Sequence, residues 1–142
     1  MGQTPFSYTT QENIVYDVKA DSKGTILLVD DSKMSRKMLK AILEEEGYSV
    51  IAEAGNGEEA VEAYKQRKAD LVTLDITMPK MDGIEALKQL LEIDPSVKAI
   101  MITAAGQQSK LIEALKCGAK KFITKPFEKE EVIANVNEVM GC

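Results

Sequence analysis

Asp30-Asp31, Asp75, Thr103 and Lys125 share one kind of position: each directly follows a short run of strand-forming residues. The runs are Ile26–Val29, Leu71–Leu74, Ala99–Ile102 and Phe122–Thr124. An unbroken apolar run of this length suits a strand covered on both faces. In a doubly wound sheet, ligands bind beyond the carboxyl ends of the strands, where strand order reverses. All five polar residues would then meet at one edge. Singly, each has an ordinary explanation: Asp31-Ser32 caps a helix, Asp75 opens a turn before Pro79, Thr103 suits a strand end, and Lys125 is a solvated charge. Joint placement favours a site. Three converging carboxylates repel, so one is protonated or a cation lies among them. An oxygen-only cluster with room for water suits Mg²⁺. A carboxylate beside Mg²⁺, with a hydroxyl and an ammonium nearby, is equipped to attack phosphorus, giving an aspartyl phosphate. Calcium buffering is the competing use, but no DxDxDG-type loop is present.

The elements that must position these residues follow from periodicity. Ser32 is placed to cap a helix that runs to about Glu46 and ends at Gly47, with Met34, Met38, Leu39, Ile42 and Leu43 on its apolar face. A strand over about 49–54 and a helix over 57–67 come next. The helix at 84–93 is stopped by Asp94-Pro95. A helix over 107–117 turns Leu111, Ile112 and Leu115 inward and closes at Gly118. The last helix, about 129–140, carries Val132, Ile133, Val136 and Met140 on one stripe. Five βα units in succession imply an α/β fold, a five-stranded parallel sheet with five helices on its two faces.

Composition narrows the function classes. The 142 residues suit one domain, with 44% hydrophobic and 29% charged residues, as in ordinary globular proteins. The net charge of -5 and the lack of a basic run argue against nucleic acid. No apolar stretch approaches the ~20 residues that span a bilayer, and the N-terminus has no signal-peptide pattern, so a cytoplasmic protein is expected. Cys117 and Cys142 have neither metal-ligand nor redox spacing. With no histidine in the chain, Ser-His-Asp and Cys-His catalysis are excluded. Residues 1–24 stand apart as an N-terminal extension, either disordered or docking through Ile14–Val18, whose apolar residues alternate as in a half-buried strand. Residues 25–142 form the domain.

Leu28-Val29-Asp30-Asp31-Ser32, Leu74–Gly83 with Asp75-Ile76-Thr77-Met78-Pro79, Thr103-Ala104 and Lys125-Pro126-Phe127 together resemble the signature of response regulator receiver domains. The resemblance covers about residues 25–140. It implies a flavodoxin-like sheet of order 2-1-3-4-5, which is carried over from the family. It also implies roles: Asp75 as phosphoacceptor, with Mg²⁺ held by Asp31, Asp75 and the backbone carbonyl of Thr77 and by Asp30 through water. Lys125 would contact the phosphoryl group, ahead of a cis bond to Pro126. Thr103 and Phe122 would be the switch residues, Phe122 standing where Tyr is common. Thr77 and Ala105 would tune loss of the phosphoryl group.

Asp70–Pro79 and Ala105-Gly106-Gln107-Gln108-Ser109 look most like stand-alone chemotaxis response regulators of the CheY type. That implies a monomer phosphorylated by a histidine kinase, acting on the flagellar motor switch and reset by a phosphatase. The chain stops just after the last helix, as a stand-alone receiver would. A phosphorelay shuttle or a piece of a larger regulator are the alternatives. A phosphohydrolase with an Asp nucleophile is less favoured, because such enzymes place a second Asp where Thr77 stands.

Overall fold

The computed structural model describes residues 21–142, and the strands β1 (Phe6–Thr9) and β2 (Ile14–Val18) by their backbone. Residues 1–5, 10–13 and 19–20, which belong to the expected extension, lie outside the described residues. Strands β1 and β2 pair antiparallel, and β2 runs beside the edge of the main sheet without joining its ladder.

The main sheet is built from β3 (Thr25–Val29), β4 (Ser49–Ala54), β5 (Leu71–Asp75), β6 (Ala99–Thr103) and β7 (Lys121–Thr124). Its order is β4-β3-β5-β6-β7 and all pairings are parallel. Counted from β3 as the first strand, this is the 2-1-3-4-5 order. Between them run α1 (Lys33–Glu46), α2 (Gly57–Gln66), α3 (Gly83–Ile93) and α4 (Gln108–Cys117), with α5 (Lys129–Met140) last. The doubly wound architecture is therefore present.

Strand side chains alternate between two cores, as the period of two demands. Ile26, Leu28, Ile100 and Ile102 pack with Leu39 and Leu43 of α1 and Val132 and Val136 of α5. Leu27, Val29, Val72, Leu74 and Met101 face Tyr64 of α2, Leu87 and Leu90 of α3 and Ala114 of α4. Unbroken apolar runs arise because both faces are covered. Helix boundaries follow their caps. Ser32 accepts from the N–H of Ser35 at 3.1 Å, and Gly47 ends α1 at φ 111°, a left-handed conformation that costs a residue without a Cβ little.

Two inward assignments need correction. Met34 is 65% exposed and Met38 44% exposed. At 3.6 residues per turn they lie about 140° and about 100° around α1 from Leu39, beyond the stripe that the sheet covers. In α4 only Ala114 is buried, Leu111 is half-buried, and Ile112 and Leu115 face outward. A helix meeting its neighbours along one narrow line at Ala114 cannot bury residues about 100° and about 200° away. Ile133 and Met140 of the α5 stripe are partly covered.

Candidate functional site

Strand order brings the polar residues together. Asp30 follows β3, Asp75 ends β5, Thr103 ends β6 and Lys125 follows β7, and these four strands are neighbours. Asp75 is opposite Ile102 and Thr103 is opposite Thr124, while the Lys125 N–H donates to the Thr103 carbonyl at 2.8 Å. The carboxyl ends are therefore level, and the five sequence-picked side chains share one edge.

Asp30, Asp31 and Asp75 each offer a carboxylate oxygen, all within 4.8 Å of one another. Asp30 and Asp75 are buried, and Asp31 is exposed at the rim. The Lys125 ammonium stands 3.0 Å from Asp30 Oδ2 and 3.4 Å from Asp75 Oδ2. The contact to Asp30 is an ion pair without hydrogen-bond alignment, so Oδ2 of Asp30 has charge compensation but no directed donor. Oδ1 of Asp30 accepts from the Ser32 N–H at 2.8 Å. One ammonium cannot neutralise three carboxylates. The donor set, all oxygen with one exposed member, fits a hard divalent cation.

The electrostatics carry the same message. Asp75 is pushed up to about 6 from 3.8, first by burial and then by the Asp30 charge, with Lys125 pulling the other way. Burial works against the Lys125 ammonium, but Asp30 and Asp75 together outweigh it and its pKa is raised.

A raised folded-state carboxyl holds its proton more tightly folded than unfolded. Without a cation, this contribution to stability is present below about pH 4, is lost as pH rises toward about 6, and stays lost above it. Asp94 and Glu46, held low chiefly by hydrogen bonds from Ser96 and Lys23 respectively, run in the opposite sense. The measurement is therefore a difference. The metal-free melting midpoint of Asp75→Asn minus that of the wild type should grow between about pH 4.5 and about pH 7. Millimolar divalent cation should then raise the wild-type midpoint alone. A constant difference, or a wild type indifferent to the cation, would count against the acidic cluster.

Close backbone approaches hold the loops. Gly83 donates its N–H to the Ile76 carbonyl at 2.8 Å, and a Cβ there would lie 2.1 Å from the Asp75 carbonyl oxygen. Gly57, the first residue of α2, donates to Met81 of the β5–α3 loop at 2.9 Å, where a Cβ would lie 2.5 Å from the Met81 oxygen. Arg36 of α1 binds the Asp30 carbonyl and pairs through Nε with Glu53 at 3.0 Å, tying the Asp30-Asp31 turn to β4.

Thr103 is 4% exposed, and its hydroxyl donates toward Ala104 O and Gln107 Oε1, each at 3.2 Å, rather than toward Asp75. Thr77 is exposed in the β5–α3 loop and its hydroxyl accepts from Gln107 Nε2. Phe122 is 40% exposed. It flanks a cleft of ≈ 320 Å³ that Thr103, Leu111 and Lys125 also line. The Lys125–Pro126 bond is cis.

Sequence reasoning missed Arg36 and the bridging of Gln107, because neither follows a spacing rule. Gly83 had a signal, an Asp-Gly pair shortly after a strand-ending aspartate.

The response regulator receiver domain profile matches residues 26–137. The chemotaxis protein CheY of Thermotoga maritima is 53% identical over 114 residues, covering 80% of this chain and 95% of that protein. The chemotaxis protein CheY of Bacillus subtilis is 51% identical over 116 residues, covering 82% and 97%. Among solved structures, the CheX–CheY–BeF3–Mg²⁺ complex from Borrelia burgdorferi superposes with a TM-score of 0.77. The identity there is 44%, over 81% of this chain and 87% of that one.

Proposed function

The chain belongs to the response regulator receiver family, and on that premise we propose that it is a phosphorylation-driven switch in chemotaxis, with Asp75 as the phosphoacceptor. The observation that carries this reading is the convergence of Asp30, Asp31 and Asp75 within 4.8 Å beside the Lys125 ammonium. A carboxylate oxygen of Asp75 attacks the phosphorus of a phosphohistidine on a histidine kinase. The new P–O bond forms as the P–N bond breaks, and the electron pair leaves with the imidazole.

Asp30, Asp31, Asp75 and the Thr77 carbonyl are the groups that would hold Mg²⁺. Bound there, Mg²⁺ supplies charge compensation for the phosphoryl oxygens. Lys125 turns from the carboxylates to a phosphoryl oxygen, and Thr103 donates its hydroxyl to another. The cleft beside Phe122 gives that ring somewhere to go as Thr103 moves.

The output is a surface. Ile112 and Leu115 on α4 and Phe122 on β7 leave exposed apolar area on neighbouring elements, the kind of patch that marks a partner site. We take the flagellar motor switch as that partner and a phosphatase as the resetting one. The CheX of the Borrelia complex is the first type of partner to test. In this reading the protein acts as a cytoplasmic monomer without nucleic acid. Residues 25–142 are the switch, and residues 1–24 are an extension whose docking segment is Ile14–Val18, the strand beside β4. Among the described residues, no helix is long and apolar enough to cross a membrane.

Transfer from a phosphorylated histidine kinase in Mg²⁺ tests the reading. Label should pass to the chain, stop near one phosphoryl group per molecule and be lost slowly. Many turnovers of a small phosphoester per chain would favour a phosphohydrolase instead.

A further inference from the structure

We propose that Gln107 is a positioning residue that tethers the Thr103 hydroxyl in the unphosphorylated state, an assignment that rests on the switch reading above. Its carboxamide joins the two loops at the mouth of the site. Oε1 accepts from the Ala104 N–H at 2.7 Å and from the Thr103 hydroxyl at 3.2 Å, while Nε2 donates to the Thr77 hydroxyl. Both ends of one side chain are thus engaged, one by the β6–α4 loop and the other by Thr77 of the β5–α3 loop that follows Asp75.

Gln107 stands at the cap position of α4, yet makes no side-chain capping bond to that helix. Its amide serves the bridge instead. A hydroxyl has one proton to donate. While it is shared between Gln107 Oε1 and Ala104 O, it is not available to a phosphoryl oxygen on Asp75. Thr103 is 4% exposed, so its hydroxyl is largely turned away from bulk water. Phosphorylation must therefore draw the hydroxyl off Gln107, and the strength of that bond sets part of the balance between the two states.

Beryllofluoride in Mg²⁺, a phosphoryl mimic, is the probe. Its affinity would be measured for the wild type, Gln107→Ala, Thr103→Val and the double variant. Gln107→Ala lies in a surface loop and should keep the fold, as its amide spectrum would report. It should bind beryllofluoride about 3- to 10-fold more tightly, the share of one net hydrogen bond. In the Thr103→Val background the same change should give no gain, because no hydroxyl remains to release. An affinity within about twofold of the wild type overturns the tether. So does an equal gain in both backgrounds, which would trace to loop packing. A wild type that fails to bind beryllofluoride at all brings down the switch reading, and the tether with it. Indifference of Gln107→Ala in a wild type that binds brings down the tether alone.

Discussion

Replacing Asp75 by asparagine should abolish acid-labile labelling by a small phosphodonor in Mg²⁺ while leaving the protein folded. The amide is near-isosteric, but it has lost the charge that makes the carboxylate a nucleophile and a metal ligand. Its effect on the fold has the opposite sign. Asp75 is disfavoured as an anion by burial and by Asp30, despite Lys125, so a neutral side chain removes a repulsion at neutral pH. The melting midpoint without cation should equal or exceed that of the wild type. Two measurements on one variant therefore move apart. Label that survives at one phosphoryl group per chain would falsify the assignment of Asp75. Loss of label with a collapsed fold would show that the carboxylate was wanted for structure.

Gly83→Ala is expected to damage stability and chemistry together. The added methyl would lie 2.1 Å from the carbonyl oxygen of Asp75, 2.9 Å from its carbonyl carbon and 3.1 Å from Cα of Ile76. These are backbone atoms at the end of a central strand, so no side chain can swing away to make room. Overpacking in a rigid setting costs about 1–3 kcal/mol and occasionally more, and this site belongs at the upper end. For a chain of this size, about 3 kcal/mol corresponds to roughly 10 °C in melting midpoint. Because the clash falls on Asp75 itself, the phosphodonor labelling rate should also drop. A midpoint within about 2 °C of the wild type, with labelling intact, would mean that the loop yields freely and that Gly83 is not a constraint on the site.

What could be read from the amino-acid order was whatever obeys a short period. Ile26–Val29, Leu71–Leu74 and Ala99–Ile102 announced buried strands, and Ser32 and Gly47 announced the ends of α1. Strand-end placement then collected Asp30, Asp75, Thr103 and Lys125 without any knowledge of contacts. The strand order itself came from the family resemblance, since local patterns do not rank strands across a sheet. Periodicity failed where coverage was narrow. Met34 and Met38 satisfy a helical spacing, but the sheet reaches only as far round α1 as Leu39 and Leu43. Ile112 and Leu115 satisfy it too, yet α4 touches the body mainly through Ala114. Spacing says which residues share a face but not how wide a face is buried. The Arg36 brace and the Gln107 bridge were illegible for another reason. Each depends on a long side chain reaching a partner on another element, and no pattern encodes that reach.

Asp75 is 45 positions from Asp30, 28 from Thr103 and 50 from Lys125 in the sequence, and only adjacent strands in the right order bring them level. A one-residue slip of any strand would turn its terminal side chain to the opposite face. Lys125 follows the edge strand β7, so the charge that steadies both buried aspartates arrives only when the last strand has joined. A partly assembled copy therefore lacks the ammonium beside Asp30 and Asp75. Until β7 pairs with β6, the acidic cluster stays without its neighbouring ammonium.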